Sequence, residues 1–347
     1  MRLIEVERAV AAEAEGGDRL PRVRLAAVQA APVFLNRERT VERACQWILE
    51  AGRRGARLVV FPEGFLPGHP LWYHFFPATD PKSNALATRL FLNSVEIPSR
   101  TTEALGEAAR QAGVYVVMGL CERRPGTFGT LYNTQLFLAP DGSILGKHRK
   151  LVPTVGERLV HTGGFGDTLR TYPTDFGRIG GLICGESSNP LAVFALMAEY
   201  PHVLAVSWPN RFPKRGMSCP ERALVVGRAL ALMSKAFVVN ACGTMTEEMR
   251  EMLVYTEEDR ADLWDDQATG GSCIVGPGGQ VVAGPMGPEE GVLVFEADLS
   301  ECVAEKVRHD FAGHYNRPDV FQLRVSASAP EIYVREATAT RERTEGR

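Results

Sequence analysis

The 347-residue chain predicts an α/β fold with mixed sheets and helices on their outer faces. Three observations lead there. Short apolar, β-branched runs alternate with stretches whose apolar residues recur at helical spacing. Two pairs of apolar runs close around turn residues, Pro140-Asp141-Gly142 and Pro277-Gly278-Gly279, as in β-hairpins. The two halves also repeat one plan, in which helix-linked strands are followed by a hairpin. Helix-linked strands imply right-handed parallel connections, and hairpins add antiparallel partners. Two such sheets stacked make a four-layer α-β-β-α sandwich, which periodicity alone does not separate from one open sheet.

The elements follow in order. VRLAAVQAAPVF, from Val23, is apolar and β-branched and predicts a strand. Asn36 can cap the next helix, RERTVERACQWILEAGRR, whose Val41, Ala44, Cys45, Ile48 and Leu49 share one face, and Gly55 stops it. ARLVVFPE is a buried strand, Thr102 to Gly113 an amphipathic helix, and VYVVMGLCER a strand. LYNTQLFLA and SILGKHRK form the first hairpin, and RIGGLIC is the next strand. PLAVFALMAEY opens on Pro190, a residue suited to a first helical turn. HVLAVSWP is a strand, PERALVVGRALALMSKA a long helix, and FVVNAC a strand. GSCIVGPGGQVVAG is the second hairpin and GVLVFEADL the last strand. No low-complexity linker divides the halves. Residues 1–22 are therefore an N-terminal extension, 23–326 a single domain, and 327–347 a tail disordered at its Arg/Glu/Thr-rich end.

Composition excludes several classes. With 39 basic and 42 acidic residues interspersed, net charge is −3, which gives no electrostatic reason to bind nucleic acid or an anionic membrane. No run is long and apolar enough for a membrane span, and no signal-like apolar segment is visible. The seven cysteines are odd in number and lack any C-x-x-C pair, so free thiols in a reducing cytoplasm are expected. No histidine or cysteine spacing suits a metal, and GGFGD at Gly163 is neither a P-loop nor a dinucleotide fingerprint. Neither a metal nor a cofactor is expected.

The chemistry concentrates at strand ends. RIGGLICGE delivers Cys184 to the carboxyl end of a buried strand, where α/β proteins place their sites. A lone cysteine in an apolar strand is usually inert. Gly185 beside it, however, allows close approach of a substrate and offers a backbone N–H as an oxyanion donor. A thiolate attacks, so a base and a cation are needed nearby. In VVFPEGFLPGHP, Glu63 has apolar flanks that raise a carboxyl pKa toward the range useful for proton transfer. Lys150 in GKHRKLVPTVGER belongs to a charge run of the kind that usually faces water, but Leu151-Val152-Pro153 follows at once. Glu157 can orient Lys150 or a water. Thiol, base, cation and second acid together suit covalent hydrolysis of a carbon–nitrogen bond. His69, Trp72, Asn189 and Trp208 lie near these segments as candidate pocket residues, with ordinary loop packing as the competing reading.

The ordered set FPEGFLPG, KHRKLVPTVGER, GRIGGLICGE and DFAGHYNRPDVF resembles the nitrilase superfamily, in particular its nitrilase branch, over about Val23 to Leu323. The resemblance implies the α-β-β-α sandwich and a Glu-Lys-Cys triad: Glu63 as base, Lys150 as the lysine, Cys184 as nucleophile. Glu157 matches the family's second acid. It also implies homodimers or larger homo-oligomers. One departure stands out, since the family commonly has Trp after the cysteine and this chain has Gly185. The expected activity is hydrolysis of an organic nitrile to a carboxylic acid and ammonia through a thioimidate and thioester, with some amide by-product. An amidase or N-carbamoyl amidohydrolase using the same site is the alternative, and a non-catalytic binding or assembly protein the third reading.

Overall fold

The computed structural model describes residues 4–5, 20–212 and 216–331. Its strands are β1 (Ile4–Glu5), β2 (Arg22–Gln29), β3 (Leu58–Val60), β4 (Tyr115–Arg123), β5 (Leu131–Leu138), β6 (Ile144–Arg149), β7 (Tyr172–Thr174), β8 (Gly177–Ile183), β9 (Val203–Trp208), β10 (Phe237–Cys242), β11 (Cys273–Val275), β12 (Val281–Ala283) and β13 (Gly291–Asp298). The helices are α1 (Arg37–Arg53), α2 (Pro81–Asn93), α3 (Arg100–Ala112), α4 (Pro190–Met197), α5 (Cys219–Ser234), α6 (Glu247–Leu253), α7 (Glu257–Leu263) and α8 (Ser300–Arg308). No described helix is long and apolar enough to cross a membrane.

The strands form two mixed sheets, in the orders β1-β13-β2-β3-β4-β5-β6 and β12-β11-β10-β9-β8-β7. Each half of the chain builds one sheet around a parallel centre, β2-β3-β4 and β8-β9-β10, with antiparallel hairpin strands outside it. The last long strand breaks the pattern: β13 returns to the first sheet and pairs antiparallel with β2 over its full length. The extreme N-terminus adds Ile4–Glu5 parallel to β13, so part of the expected extension is sheet. Arg22, assigned to the extension, opens β2, while residues 1–3 and 6–19 and the tail beyond 331 lie outside the described residues.

Strand periodicity of two explains the layers. On β2, Val23, Leu25 and Ala27 point between the sheets, meeting Ile179, Val203, Ala205, Phe237 and Val239 from the second sheet. Ala26 and Val28 point the other way, onto Ala44, Ile48 and Ala51 of α1 and the Leu105–Ala109 face of α3. The second sheet repeats this, with Leu182, Leu204, Val206 and Val238 under α4 and α5. The result is the α-β-β-α sandwich. Gln135 of β5 crosses the central layer, donating to Ser207 Oγ at 2.9 Å and to the Leu182 and Ala205 carbonyls at 3.3 Å. A fourth apolar cluster, around Phe34, Leu71, Trp72, Met249 and Leu263, joins α2, α6 and α7 to the segments after β2 and β3.

The expected strands and helices are present, with ends shifted by a few residues. Helices α2, α6, α7 and α8 and strand β7 were not anticipated. Three of those helices carry legible start signals: Asp80 caps α2 ahead of Pro81, and Thr246 and Thr256 cap α6 and α7. Short polar segments of this kind show little apolar periodicity, which is why pattern alone passes over them.

Candidate active site

Ends of strands from both sheets bring the site together. After β3 the chain runs through Phe61-Pro62 to Glu63, whose N–H donates to Trp208 O at the end of β9 (3.0 Å). This loop lies directly on β4. A Cβ on Gly119 would sit 1.9 Å from Pro62 O, so only glycine admits the approach. Lys150 directly follows β6 and donates its N–H to Asn133 O at 2.9 Å. Its own carbonyl accepts from Gly164 N–H at 2.8 Å. The GGF segment thus braces the backbone of Lys150. Glu157 lies in the 3-10 turn Val155–Leu159, where its Oε2 accepts the Thr154 N–H at 2.8 Å. Cys184 opens the 3-10 turn that follows β8, with φ at +54°. A side chain in this left-handed region costs about 1–2 kcal/mol.

Three of the sequence-predicted groups, Glu63, Lys150 and Glu157, meet in one buried network. Lys150 Nζ donates to Glu63 Oε1 and Glu157 Oε2, both at 2.7 Å. Glu63, Lys150, Glu157 and Cys184 are each at most 4% exposed. Asn133, which sequence reading missed, donates Nδ2 to Glu63 Oε1 and Glu157 Oε1, both at 2.7 Å. Its signal was a polar residue inside the apolar run of β5, where a buried amide demands partners. His161 Nδ1 lies 3.1 Å from Glu157 Oε1. Glu63 Oε2 is buried and, among the described residues, accepts no hydrogen bond.

Two carboxylates share one ammonium, and their environments part them. Burial raises the Glu63 pKa, Lys150 opposes the rise, and Glu157 adds to it. Burial also acts to raise Glu157, but Lys150 and the hydrogen bond with His161 outweigh it and hold that pKa well below the ordinary range. Burial works against the Lys150 charge, yet Glu63, Glu157 and Cys184 together raise its pKa. Burial pushes the Cys184 thiol well up, Glu63 adds to this, and Lys150 opposes it. At neutral pH the cysteine therefore rests as a thiol. Glu63, His69 and Glu157 place three ligand atoms within 4.8 Å of one another. The cationic position between the two carboxylates is filled by the Lys150 ammonium.

The candidate pocket residues separate. His69 is buried, with Nδ1 3.9 Å from Glu63 Oε1 and no hydrogen-bond partner there; burial lowers its pKa to about 3, so it is neutral. Trp72 is buried in the fourth apolar cluster, edge-on to Phe34 at 6.4 Å. Asn189 is exposed and caps α4, accepting the Leu191 N–H at 3.0 Å. Trp208 is fully buried in the same cluster as Cys184, its indole N–H bonded to Asn240 Oδ1 at 2.8 Å. A Cβ on Gly185 would meet only Thr154 Oγ1, at 3.8 Å, so that position faces open space.

Asn133→Ala removes two charge-assisted hydrogen bonds from buried carboxylates. It is expected to cost about 2–4 kcal/mol in urea unfolding, at about 1.5–3 kcal/mol per bond less what Lys150 recovers. A loss under 0.5 kcal/mol, on the order of an inert surface change, would show that the bridge does not matter.

Comparisons with known proteins agree with this geometry. The profile of the carbon-nitrogen hydrolase family matches residues 24–306. The chain is 34% identical over 305 residues to a protein named nitrilase from Bacillus sp. (strain OxB-1), covering 87% of this chain and 88% of that one. It is 35% identical over 308 residues to an aliphatic nitrilase of Rhodococcus rhodochrous, covering 86% and 81%. Among solved structures, a carbon-nitrogen hydrolase from Helicobacter pylori G27 superposes with a TM-score of 0.67 at 18% identity, covering 86% of this chain and 97% of that one. Saccharomyces cerevisiae Nit3, a nitrilase superfamily member, gives 0.66 at 19% identity, covering 87% and 100%. Sequence, sandwich and relatives agree: the chain belongs to the carbon-nitrogen hydrolase family of the nitrilase superfamily.

Proposed function

We propose that the protein is a nitrilase, converting an organic nitrile and two waters to a carboxylic acid and ammonia by thiol catalysis. The observation that carries this reading is the buried Glu63–Lys150–Glu157 network, with Glu63 Oε2 unengaged among the described residues and Cys184 buried in the turn that follows β8. Glu63 takes the Cys184 proton as sulfur adds to the nitrile carbon, and the proton passes to nitrogen, giving a thioimidate. Lys150 and backbone N–H groups such as that of Gly185 stabilise the developing nitrogen anion. A first water, deprotonated by Glu63, adds to the same carbon. Carbon–nitrogen cleavage releases ammonia with the returned proton and leaves a thioester, which a second water hydrolyses. If carbon–sulfur cleavage comes first, amide is released instead.

Ammonia release from aliphatic, arylaliphatic and aromatic nitriles with matching amides tests the proposal. Nitrile turnover supports it, and turnover of amides or N-carbamoyl compounds alone moves the protein to the alternative activity. Silence on all of them favours a binding role. The base must be ionised to act, and burial raises its pKa. The acid limb of kcat/KM should therefore lie above the ordinary glutamate value of about 4.3, activity falling as pH drops through it. A limb at or below that value would remove Glu63 from the role.

The same reading includes a homo-oligomer in the cytoplasm. Leu191, Val225 and Leu232 on α4 and α5 are at least half exposed, an apolar outer face suited to a second copy. All seven cysteines are free, as a reducing compartment keeps them. Light scattering at micromolar concentration should give at least twice the single-chain mass; the single-chain mass would refute the assembly.

A further inference from the structure

A second buried ion pair lies beside the triad, and no chemical step proposed above uses it. Glu186, two residues after Cys184, is buried and engages three donors. Its Oε1 accepts the Leu151 N–H at 2.8 Å, its Oε2 accepts the Ile183 N–H at 3.1 Å, and His148 Nε2 lies 2.8 Å from Oε2. The other nitrogen of His148, Nδ1, lies 3.3 Å from the Thr168 carbonyl oxygen. Both imidazole nitrogens face acceptors, an arrangement that favours the doubly protonated, cationic ring. Burial opposes each charge, but mutual attraction outweighs it: the His148 pKa is raised and the Glu186 pKa lowered.

The backbone groups that Glu186 grips are telling. Ile183 is the residue before Cys184, at the end of β8 in the second sheet. Leu151 is the residue after Lys150, just past β6 in the first sheet. One carboxylate thus ties the chain beside the thiol to the chain beside the ammonium, across the two sheets. Cys184 holds a left-handed conformation at φ +54°, which a non-glycine residue keeps only where its surroundings over-determine it. The Ile183 bond to Glu186 and the Ser187 hydroxyl donating to Cys184 O supply that constraint on either side of the cysteine.

We propose that Glu186, charge-paired with His148, is a positioning residue that holds the Cys184 turn in register with Lys150, setting reactivity at sulfur rather than substrate affinity. The proposal rests on the thiol-hydrolase reading only in taking Cys184 as the reacting group. Glutamine at 186 must turn an NH2 toward one of the two backbone N–H groups, so one grip is lost while size is kept. Displacements on the order of 1 Å at a reacting atom cost about 100-fold in rate.

The test is Glu186→Gln and, separately, His148→Gln, compared with wild type. Three quantities are followed: iodoacetamide labelling of Cys184 by peptide mass spectrometry, kcat and KM on whichever nitrile or amide is turned over, and thermal melting. In folded Glu186→Gln, labelling should slow by about tenfold or more and kcat fall by about 100-fold, with KM within about threefold. Glutamine at 148 still donates to Glu186, so that variant should lose about tenfold in kcat. Labelling and kcat both within threefold of wild type in the folded variant overturn the proposal, as does a rise in KM with kcat unchanged. If Glu186→Gln does not fold, His148→Gln decides by the same thresholds. Wild-type silence on every substrate would sink the functional reading instead, and the labelling comparison would still decide this one.

Discussion

Cys184→Ala should lower nitrile turnover by at least about 10,000-fold, the scale of removing a covalent nucleophile, while the protein stays folded. The reasoning runs from the site. Once sulfur is gone, Glu63 has no thiol to deprotonate, and Lys150 has no thioimidate nitrogen to stabilise. Direct addition of water to the nitrile carbon would have to start from a position the site does not hold. Stability should change little, within about 1 kcal/mol, because alanine keeps the Cβ and the left-handed backbone and loses one buried sulfur. Cys184→Gly is a useful companion: it should be equally inactive yet no less stable, since glycine relieves the φ of +54°. Ammonia release by Cys184→Ala above about one per cent of wild type, with contamination excluded, would remove the cysteine from the mechanism.

Lys150→Met should be both inactive and unstable. Its ammonium is the shared partner of two carboxylates at 2.7 Å, all of them buried. Breaking a buried ion network by deleting one member costs about 3–5 kcal/mol, because the remaining charges are left without compensation. Turnover should fall by at least about 100–1,000-fold, the scale of losing one oxyanion donor. The pH dependence follows from the acids. In the wild type, the Glu157 pKa is held well below its ordinary value. Its ionisation therefore stabilises the fold above the ordinary carboxylate range, and that gain is lost as pH falls toward the depressed pKa. Without Lys150 both acids bind protons more readily in the folded protein. The gap in stability between variant and wild type should thus shrink from pH 7 to pH 5. Urea unfolding at the two pH values measures it, and a gap that stays constant would mean that Lys150 acts by packing rather than by charge.

Much of this protein is legible in one dimension. Alternating periodicities locate the sheet-forming strands and the principal helices, because a strand buried on both faces and an amphipathic helix leave different apolar patterns. The chemistry is legible for a related reason. Lys150 and Cys184 follow strands directly and Glu63 lies three residues past one, where an apolar run must end and a reactive side chain can be presented. Motif order then adds specificity that no single motif has.

Other features needed the third dimension. Asn133 reads as one of three adjacent polar residues in an otherwise largely apolar strand, and only the pairing of β5 beside β4 and β6 aims its amide at both carboxylates. Asn189 lies near Cys184 in sequence yet is exposed, since it both ends the turn that Cys184 opens and caps α4. The return of β13 to the first sheet depends on long-range pairing with β2, to which local pattern is blind. Glu186 and His148 look like ordinary members of charge-bearing segments until the two sheets stack and make them partners at 2.8 Å.

The sequence by itself therefore determined the fold class, the family and the candidate thiol, base and cation, since each depends on residue type at a strand end. Only the tertiary structure decided how those groups share protons. That division depends on burial and on which charges lie within a few ångströms, and both arise only when the two sheets close over one another.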